Sequence, residues 1–325
     1  MPQLNPQMAK ILELMQEAMK ERPLRVTLSP VEARAQTSAT FEAFWNADRP
    51  LLWAVYNHEI PGPGGPIRIR LYDPGVTRPA PCLIYIHGGG WVICNLDTHD
   101  GACRRLALAG DFLVASVDYR LAPEHKFPAG LEDCIAAVRW IAAHGAAWGI
   151  DSGRLAIGGD SAGANLSLAT LLALPDGRIN PMRAGLLIYG AYSADTDTSS
   201  QAAYGDGSYI LSSDDVRWFW DHYVEDQADK KNPLAAPLLA DLRGLPPLLV
   251  TACEFDPLLD DSKRLVARLE EAGTPYRYAF WPGVTHACIH MTRMLDVAQN
   301  HIEDMVSWVR EQLTTQAQAG STRER

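Results

Sequence analysis

The sequence has 325 residues, of which 47% are hydrophobic and 21% charged, and its net charge is −10. This composition is typical of a soluble globular protein, and the length suits one large α/β core with a smaller accessory layer. The negative charge disfavours binding to nucleic acid or anionic lipid, because both require a basic surface. No apolar run reaches membrane-spanning length, and no cationic start precedes an apolar stretch as in a secretory signal. We therefore predict a cytoplasmic protein with neither membrane nor nucleic-acid partner.

The cysteines are scattered, with no C-x-x-C pair and no His/Cys cluster at metal spacing. In a chain of this size they are typical of reduced core residues in a cytosolic protein rather than of a disulfide framework. We predict neither a metal nor a cofactor. The six are Cys82, Cys94, Cys103, Cys134, Cys253 and Cys288.

In chain order, residues 1–48 are predicted to be helical, with Met8, Ile11 and Met15 at helical spacing. Two extended stretches follow, LLWAVYNHEI and PIRIRLYDP, and the turn-rich PGPGG between them indicates a hairpin. The apolar run CLIYIH then predicts a strand buried on both faces.

From that point strands and helices alternate, which predicts an α/β fold whose mostly parallel central sheet carries helices on both faces. We predict the catalytic core to span residues 49–192 and 241–315. The further predicted strands are 111–119, 154–160, 184–192, 245–255 and 275–283, and the predicted helices are 99–110, 129–145, the segment after residue 161 and a closing helix from about 291.

Residues 193–240 interrupt this alternation with a polar stretch, the aromatic-rich VRWFWDHY and a proline-punctuated loop. Because a long insertion in a compact core is usually functional, we interpret it, with the N-terminal helices, as a cap over the carboxyl edge of the sheet. The small polar tail 316–325 is expected to be disordered.

The central motif is GDSAG, in which Ser161 lies between a predicted strand and a predicted helix. A serine hydroxyl needs a sharp turn to stand clear of the backbone, and the flanking positions of G-x-S-x-G lack side chains that would clash. The helix N-terminus directs N–H groups at a developing oxyanion. Ser161 is therefore the predicted nucleophile.

A second motif, HGGGW, follows the buried strand at residues 87–91. Three consecutive glycines are entropically costly, and with no P-loop lysine nearby an oxyanion loop is favoured over a phosphate cradle. We predict that the N–H groups of Gly88, Gly89 and Ala162 form the oxyanion hole. His87 is expected to brace this loop.

The base and acid of such a triad follow the nucleophile in the chain. Of the four later histidines, His286 lies in the loop after the last predicted strand, whereas His222 lies in the insertion and His290 and His301 belong to the last helix. For the acid, Asp256 leads the loop after LLVTACEF. Glu254 would still lie in the strand, and Asp260 and Asp261 would cap the next helix.

Together, HGGGW, DYRLAPEHKFPAG, GDSAG, DPLLDD and the late THA resemble the hormone-sensitive-lipase family of bacterial esterases, within the α/β-hydrolase superfamily. The resemblance covers about residues 50–310. It implies an α/β-hydrolase fold with a helical cap, the triad Ser161, Asp256 and His286, and cofactor-free cleavage of esters with short to medium acyl chains. It also implies that Arg120 and Glu124 brace the core, and that homodimers form through an edge strand or terminal helix.

Two positions depart from the family pattern. Relatives usually carry a glycine at the position of Cys94, after HGGGWVI, and often an aromatic residue at that of Cys288, after the histidine, so the resemblance leaves the substrate preference open. Aromatic residues are candidates for the substrate pocket, although some of those in the insertion would equally form its core. The candidates are Trp91, Tyr204, Trp218 and Trp220, with Phe219 and Tyr223 beside them.

We therefore predict a serine carboxylesterase acting through an acyl-enzyme on Ser161, with His286 as general base and acid and Asp256 orienting it. An amidase or peptidase of the same fold is an alternative, because a fold does not fix a function. A second alternative is a non-catalytic receptor of the same fold, which the presence of His286 disfavours.

Overall fold

The computed structural model describes residues 2–174 and 181–314. Its centre is an eight-stranded sheet with the order β1-β2-β4-β3-β5-β6-β7-β8. Strand β2 runs antiparallel to both β1 and β4, and the other neighbouring strands pair in parallel. The strands are β1 Ala54–Gly62, β2 Gly65–Asp73, β3 Ala80–Ile86, β4 Leu113–Asp118, β5 Ile150–Asp160, β6 Met182–Ile188, β7 Leu248–Phe255 and β8 Tyr276–Thr285.

Helices cover both faces of this sheet. The π-helical turn Phe41–Trp45 continues directly from α2. The helices are α1 Pro6–Met19, α2 Pro30–Thr40, α3 Asp100–Gly110, α4 Ala129–His144, α5 Ala162–Ala173, α6 Ser199–Tyr204, α7 Ser213–Tyr223, α8 Leu259–Ala272 and α9 Asp296–Thr314.

Local sequence explains where several helices begin. Ser29 and Glu32 form a capping box at the start of α2, and Ser212 and Asp215 form one at the start of α7. The buried residues of α5 run around the whole helix, whereas those of α9 recur on one stripe. Helix α5 therefore lies inside the molecule, and α9 covers one face of the sheet.

The two faces of the sheet each carry a hydrophobic core. Alternating strand residues point to opposite faces, so Ile84 of β3 belongs to one core and Leu83 and Tyr85 to the other. Every residue of β3 except Pro81 is buried, as expected for a central strand of a parallel sheet.

These elements confirm the predicted hairpin, the predicted strands and helices, and the mostly parallel sheet. The tail 316–325 lies outside the described residues. Within the described ranges, no helix is both long enough and apolar enough to cross a membrane.

The topology brings the candidate catalytic residues to one edge. Ser161 follows β5, Asp256 follows β7, His286 follows β8 and His87 follows β3. Because the carboxyl ends of parallel strands share one edge of a sheet, residues remote in sequence meet there.

Candidate active site

Ser161 lies at a sharp turn between β5 and α5. Its backbone angles, φ 55° and ψ −120°, are unusual for a residue with a side chain, and its N–H donates to the Ile188 carbonyl at 2.8 Å. A Cβ added at Gly159 or at Gly163 would come within 2.2 Å or 2.0 Å of the Ile86 carbonyl oxygen. The glycines of GDSAG are therefore required by close packing against β3, which holds the strained turn in place.

His286 and Asp256 complete a hydrogen-bonded chain to this serine. The Nε2 atom of His286 lies 3.0 Å from Ser161 Oγ, and Nδ1 lies 2.7 Å from Asp256 Oδ2. Asp256 is fully buried, and its Oδ1 accepts the N–H of Leu258 at 2.8 Å. The three predicted residues thus have the relative geometry of a nucleophile, its base and the carboxylate that orients the base.

The HGGGW loop places three peptide units in succession beside this serine. Tyr119 Oη donates to the His87 carbonyl at 3.0 Å, and His87 Nδ1 lies 2.8 Å from the Gly88 carbonyl. The Gly89 carbonyl accepts the N–H groups of Val92 and Ile93 at 3.1 and 2.9 Å. Each carbonyl is therefore held, which fixes the opposite direction of the N–H in the same trans peptide.

This arrangement corrects one predicted oxyanion donor. The N–H of Gly88 donates to Asp160 Oδ1 at 3.1 Å, with His99 Nε2 as a second acceptor at 3.2 Å, so it is already bonded inside the protein. Among the described residues, the N–H groups of Gly89 and Gly90 donate to no protein acceptor, and both glycines line the same cavity as Ser161. The candidate donors are therefore Gly89, Gly90 and Ala162, the last being the first residue of α5, where N–H groups have no helical partner.

His87 contacts the loop rather than the nucleophile. Its ring stacks on Tyr119 at 4.4 Å between centroids and is completely buried. Burial, with the neighbouring His99, lowers the pKa of His87 to about 4, so the imidazole is neutral and Nδ1–H is available to the Gly88 carbonyl. The contacts match the bracing role expected from the sequence.

A second carboxylate–histidine cluster, formed by His99, Asp160 and His290, lines the same cavity as Ser161. His99 Nε2 is 3.1 Å from Asp160 Oδ1, and His290 Nε2 is 3.6 Å from Asp160 Oδ2. Asp160 Oδ1 also accepts the Tyr85 hydroxyl at 2.7 Å. Sequence reasoning did not assign this cluster, although Asp160 stands inside GDSAG itself.

The same three side chains are the described residues whose ligand atoms lie close enough for a metal ion, within 4.8 Å of one another. Two imidazoles and one carboxylate are a donor set that suits zinc or iron. However, Asp160 already accepts hydrogen bonds from Tyr85 and Gly88. We therefore treat the cluster as a hydrogen-bonded network.

The cavity in front of Ser161 has a volume of about 410 Å³. Its walls come from the N-terminal helices, the HGGGW loop, the segment 206–219 and the loop that carries His286. Apolar side chains form much of this wall, as is usual for small-molecule sites. They include Leu12, Met15, Met19, Leu24, Val26, Phe41, Ile210, Leu211, Phe219 and Met291.

The predicted aromatic pocket residues are placed elsewhere, which corrects the expectation. Trp91 and Trp220 are buried and pack on Tyr223 and on each other, with the Trp91 ring 4.1 Å from that of Tyr223. Trp218 packs on His222, and Tyr204 packs on Phe255. Trp91 and Phe255 lie outside the insertion 193–240, so these contacts pack the insertion against the rest of the molecule.

Phe219 is the aromatic residue of VRWFWDHY that reaches the cavity. Its ring lies against Gly90, where an added Cβ would be only 2.2 Å from the ring, and Gly90 has a φ of +56°. The third glycine of HGGGW thus allows an aromatic ring to lie over the HGGGW loop.

All six cysteines are free and buried, as predicted. Cys94 has a φ of +68°, a backbone conformation that glycine adopts readily, and it lines the cavity. Cys288 does not line the cavity; its Sγ lies 3.7 Å from that of Cys253.

Ion pairs join the N-terminal helices to the rest of the molecule. Arg34 of α2 pairs with Glu124, and Arg25 pairs with Asp215 of α7 at 3.0 Å. Hydrogen bonding to Arg34 lowers the pKa of Glu124 to about 2. Arg120 donates to Asp133 at 2.8 Å, so Arg120 and Glu124 both act as structural braces.

Comparison with known proteins agrees with this geometry. Residues 83–290 match a family model described as the alpha/beta hydrolase fold. The chain belongs to this family. An acetyl esterase of Salmonella schwarzengrund is 34% identical over 277 residues, which cover 84% of this chain and 85% of that protein.

Solved structures agree over almost the whole chain. An ester hydrolase from the metagenome of Lake Arreo, in complex with a derivative of bipyridine phosphonate, superposes with a TM-score of 0.90 and 37% identity, covering 98% of this chain and 99% of that one. An esterase of Pyrobaculum calidifontis gives 0.90 and 34%, covering 96% and 99%. The expected family resemblance is confirmed, and the chain is a serine carboxylesterase of the α/β-hydrolase superfamily.

Proposed function

We propose that this esterase hydrolyses small carboxylic esters in two acyl-transfer steps on Ser161. His286 Nε2, 3.0 Å from the hydroxyl, removes its proton as Oγ attacks the ester carbonyl. Collapse of the tetrahedral intermediate expels the alcohol, which takes that proton. Water then attacks the acyl-enzyme with the same assistance and releases the acid. The observation that carries this proposal is the hydrogen-bonded chain from Asp256 through His286 to Ser161.

The charge that develops on the carbonyl oxygen would be stabilised by the N–H groups of Gly89, Gly90 and Ala162. Removing one oxyanion donor typically lowers kcat by about 10²- to 10³-fold. Asp256 would hold the tautomer of His286 and stabilise its imidazolium form.

For the substrate, we propose esters with short to medium acyl chains. The supporting observations are the apolar cavity of about 410 Å³ and the relative named as an acetyl esterase. The N-terminal residues up to 48 and the insertion 193–240 would form its cap, because both segments line this cavity and Arg25 and Asp215 join them.

We also propose a cytoplasmic location and a homodimer. A cytoplasmic location is supported by six buried, unpaired thiols. A homodimer through the edge strand β8 is supported by the partly exposed rings of Tyr276 and Phe280.

Replacement of the nucleophile tests the reaction directly. Ser161→Ala should remove nearly all hydrolysis of p-nitrophenyl butyrate, because no other hydroxyl meets His286 Nε2 in the described residues. Ser167→Ala is the matched control: this buried serine lies in the same helix and donates only to the Gly163 carbonyl. Unchanged turnover by Ser161→Ala would refute the proposal.

A substrate panel separates the alternatives. Esters from acetate to octanoate should be cleaved fastest at short to medium length, and the matching anilide far more slowly. Preference for the anilide would favour the amidase alternative. Failure of the wild type to react with a fluorophosphonate probe would favour the receptor, since only an activated serine is labelled.

A further inference from the structure

Asp160, the residue before the nucleophile, holds a carboxylate that the triad does not use. It is 4% exposed. Its Oδ1 accepts the Tyr85 hydroxyl from β3 at 2.7 Å and the Gly88 N–H from the oxyanion loop at 3.1 Å. A buried carboxylate is costly unless it is well hydrogen-bonded, so its retention beside a forming oxyanion requires an explanation.

Two histidines keep this carboxylate ionised. Burial alone would raise the pKa of Asp160, but His99 and His290 outweigh burial and hold that pKa well below its usual range. Burial lowers the pKa of His99, while the neighbouring Asp160 carboxylate opposes this effect. His99 Nε2 lies 3.1 Å from Asp160 Oδ1 and 3.2 Å from Gly88 N, and its Nδ1 lies 3.0 Å from Thr98 Oγ1, whose hydroxyl donates to the Asn95 carbonyl at 2.8 Å. Asp160 is therefore a charged, strong acceptor.

The Gly88 N–H that Asp160 accepts belongs to the same peptide unit as the His87 carbonyl. That carbonyl accepts the Tyr119 hydroxyl at 3.0 Å, so the peptide is held at both ends. Because this peptide is fixed, it also fixes the direction in which the chain continues into Gly89 and Gly90. The next two N–H groups, of Gly89 and Gly90, have no protein acceptor among the described residues, and both glycines line the cavity.

We propose that Asp160 is a positioning residue of the oxyanion hole: by accepting the Gly88 N–H, it keeps the N–H groups of Gly89 and Gly90 directed at the reacting carbonyl. This inference rests on the proposed function. Asp160 itself does not contact the substrate oxygen; it acts through the loop, so its loss should weaken the transition state more than the ground state.

A pair of ketone inhibitors separates an effect on the transition state from an effect on the ground state. A trifluoromethyl ketone binds when Ser161 Oγ forms a bond to its carbonyl carbon, the C=O π pair moves to oxygen as an oxyanion, and His286 takes the serine proton. The matching methyl ketone measures binding without this adduct. In Asp160→Ala we expect kcat to fall by about 100-fold and the Ki of the trifluoromethyl ketone to rise by a similar factor, while KM and the Ki of the methyl ketone stay within about threefold.

Two companion variants control for structural damage. Asp160→Asn keeps an acceptor oxygen for Gly88 and should restore kcat to within about tenfold of the wild type. Asp100→Ala removes a comparably buried carboxylate, which accepts the Tyr72 hydroxyl at 3.1 Å and does not line the cavity. It should lower thermal stability and leave the ratio of the two Ki values unchanged.

If Asp160→Ala does not fold, Tyr85→Phe replaces it, with Tyr72→Phe as its control, because both buried tyrosines donate to a buried aspartate. Only Tyr85→Phe should weaken the trifluoromethyl ketone relative to the methyl ketone. An unchanged ratio of the two Ki values in the Asp160 or Tyr85 variant overturns the inference. If the wild type itself does not prefer the trifluoromethyl ketone, the proposed function fails instead.

Discussion

Two carboxylate–histidine groups lie next to Ser161, and they differ in what the second nitrogen of the imidazole contacts. In the first, His286 has Asp256 on one nitrogen and the Ser161 hydroxyl on the other. In the second, His99 has Asp160 on one nitrogen and Thr98 on the other. Both groups are buried, so burial and residue type do not distinguish them.

The comparison shows that the group next to the second ring nitrogen determines what each histidine can do. An imidazole between a carboxylate and a reactive hydroxyl can carry a proton back and forth. An imidazole between a carboxylate and a structural hydroxyl holds that carboxylate in place. The same pair of residue types thus has different partners in the two groups: the Ser161 hydroxyl for His286 and the Thr98 hydroxyl for His99.

The largest expected effect is the difference between substitutions at Asp256 and at Asp160. Asp256→Asn should lower kcat by about 10⁴-fold, because the amide favours the wrong tautomer of His286. Asp160→Asn, with the same change of charge and volume, should lower kcat by less than about tenfold. Steady-state kinetics on p-nitrophenyl butyrate measure both, and equal losses would remove the distinction between the groups.

A smaller effect is expected at the oxyanion loop. Gly90→Ala should lower kcat/KM by about 10²-fold, since the new methyl group would push on the Phe219 ring and strain a positive φ. Phe219→Ala in the same chain should recover part of this loss, because the colliding ring is removed. A double-mutant cycle gives the coupling, and strictly additive effects would show that Phe219 is not responsible.

Asp261 is another buried carboxylate, and among the described residues its hydrogen bonds come from backbone N–H groups rather than from a histidine. Its titration should change the stability of the fold. Burial raises its pKa to about 7, although it accepts the N–H groups of Tyr192 and Ser193. The folded state therefore binds a proton more tightly than the unfolded state, where the usual value is 3.8. Stability should fall as the pH rises from about 4 to about 7, by on the order of 3 kcal/mol.

Asp261→Asn removes this titration. As the pH rises from 5 to 8, the melting temperature of the variant should therefore increase relative to that of the wild type. Asp226→Asn, at an exposed turn position, is the control and should show no such gain. A pH-independent difference for Asp261→Asn would show that Asp261 remains ionised in the fold.

Local patterns were sufficient for the fold and the nucleophile. The alternation of apolar strands and amphipathic helices predicted the sheet, and GDSAG predicted the turn at Ser161, because both depend on residues adjacent in the chain. His286 and Asp256 followed from their positions just after predicted strands, since parallel strands share their carboxyl edge. The direction of the Gly88 N–H could not be predicted from local patterns, because it depends on a contact with Asp160 at the end of the neighbouring strand β5.

Local patterns were also insufficient to predict which aromatic residues line the cavity. Helical spacing placed Trp218, Phe219 and Trp220 on one short helix, but only packing against Trp91, Tyr223 and Gly90 determines which ring reaches the cavity. Likewise, His99 and His290 join Asp160 only after their segments fold onto the sheet.

The sequence by itself therefore determined which residues can react and at which edge of the sheet they meet, because those facts follow from short-range periodicity and turn chemistry. Only the tertiary structure decided which backbone N–H groups beside the cavity have no protein acceptor, which rings form its wall and which histidines join Asp160. These outcomes depend on contacts between segments far apart in the chain, whose geometry no local pattern contains.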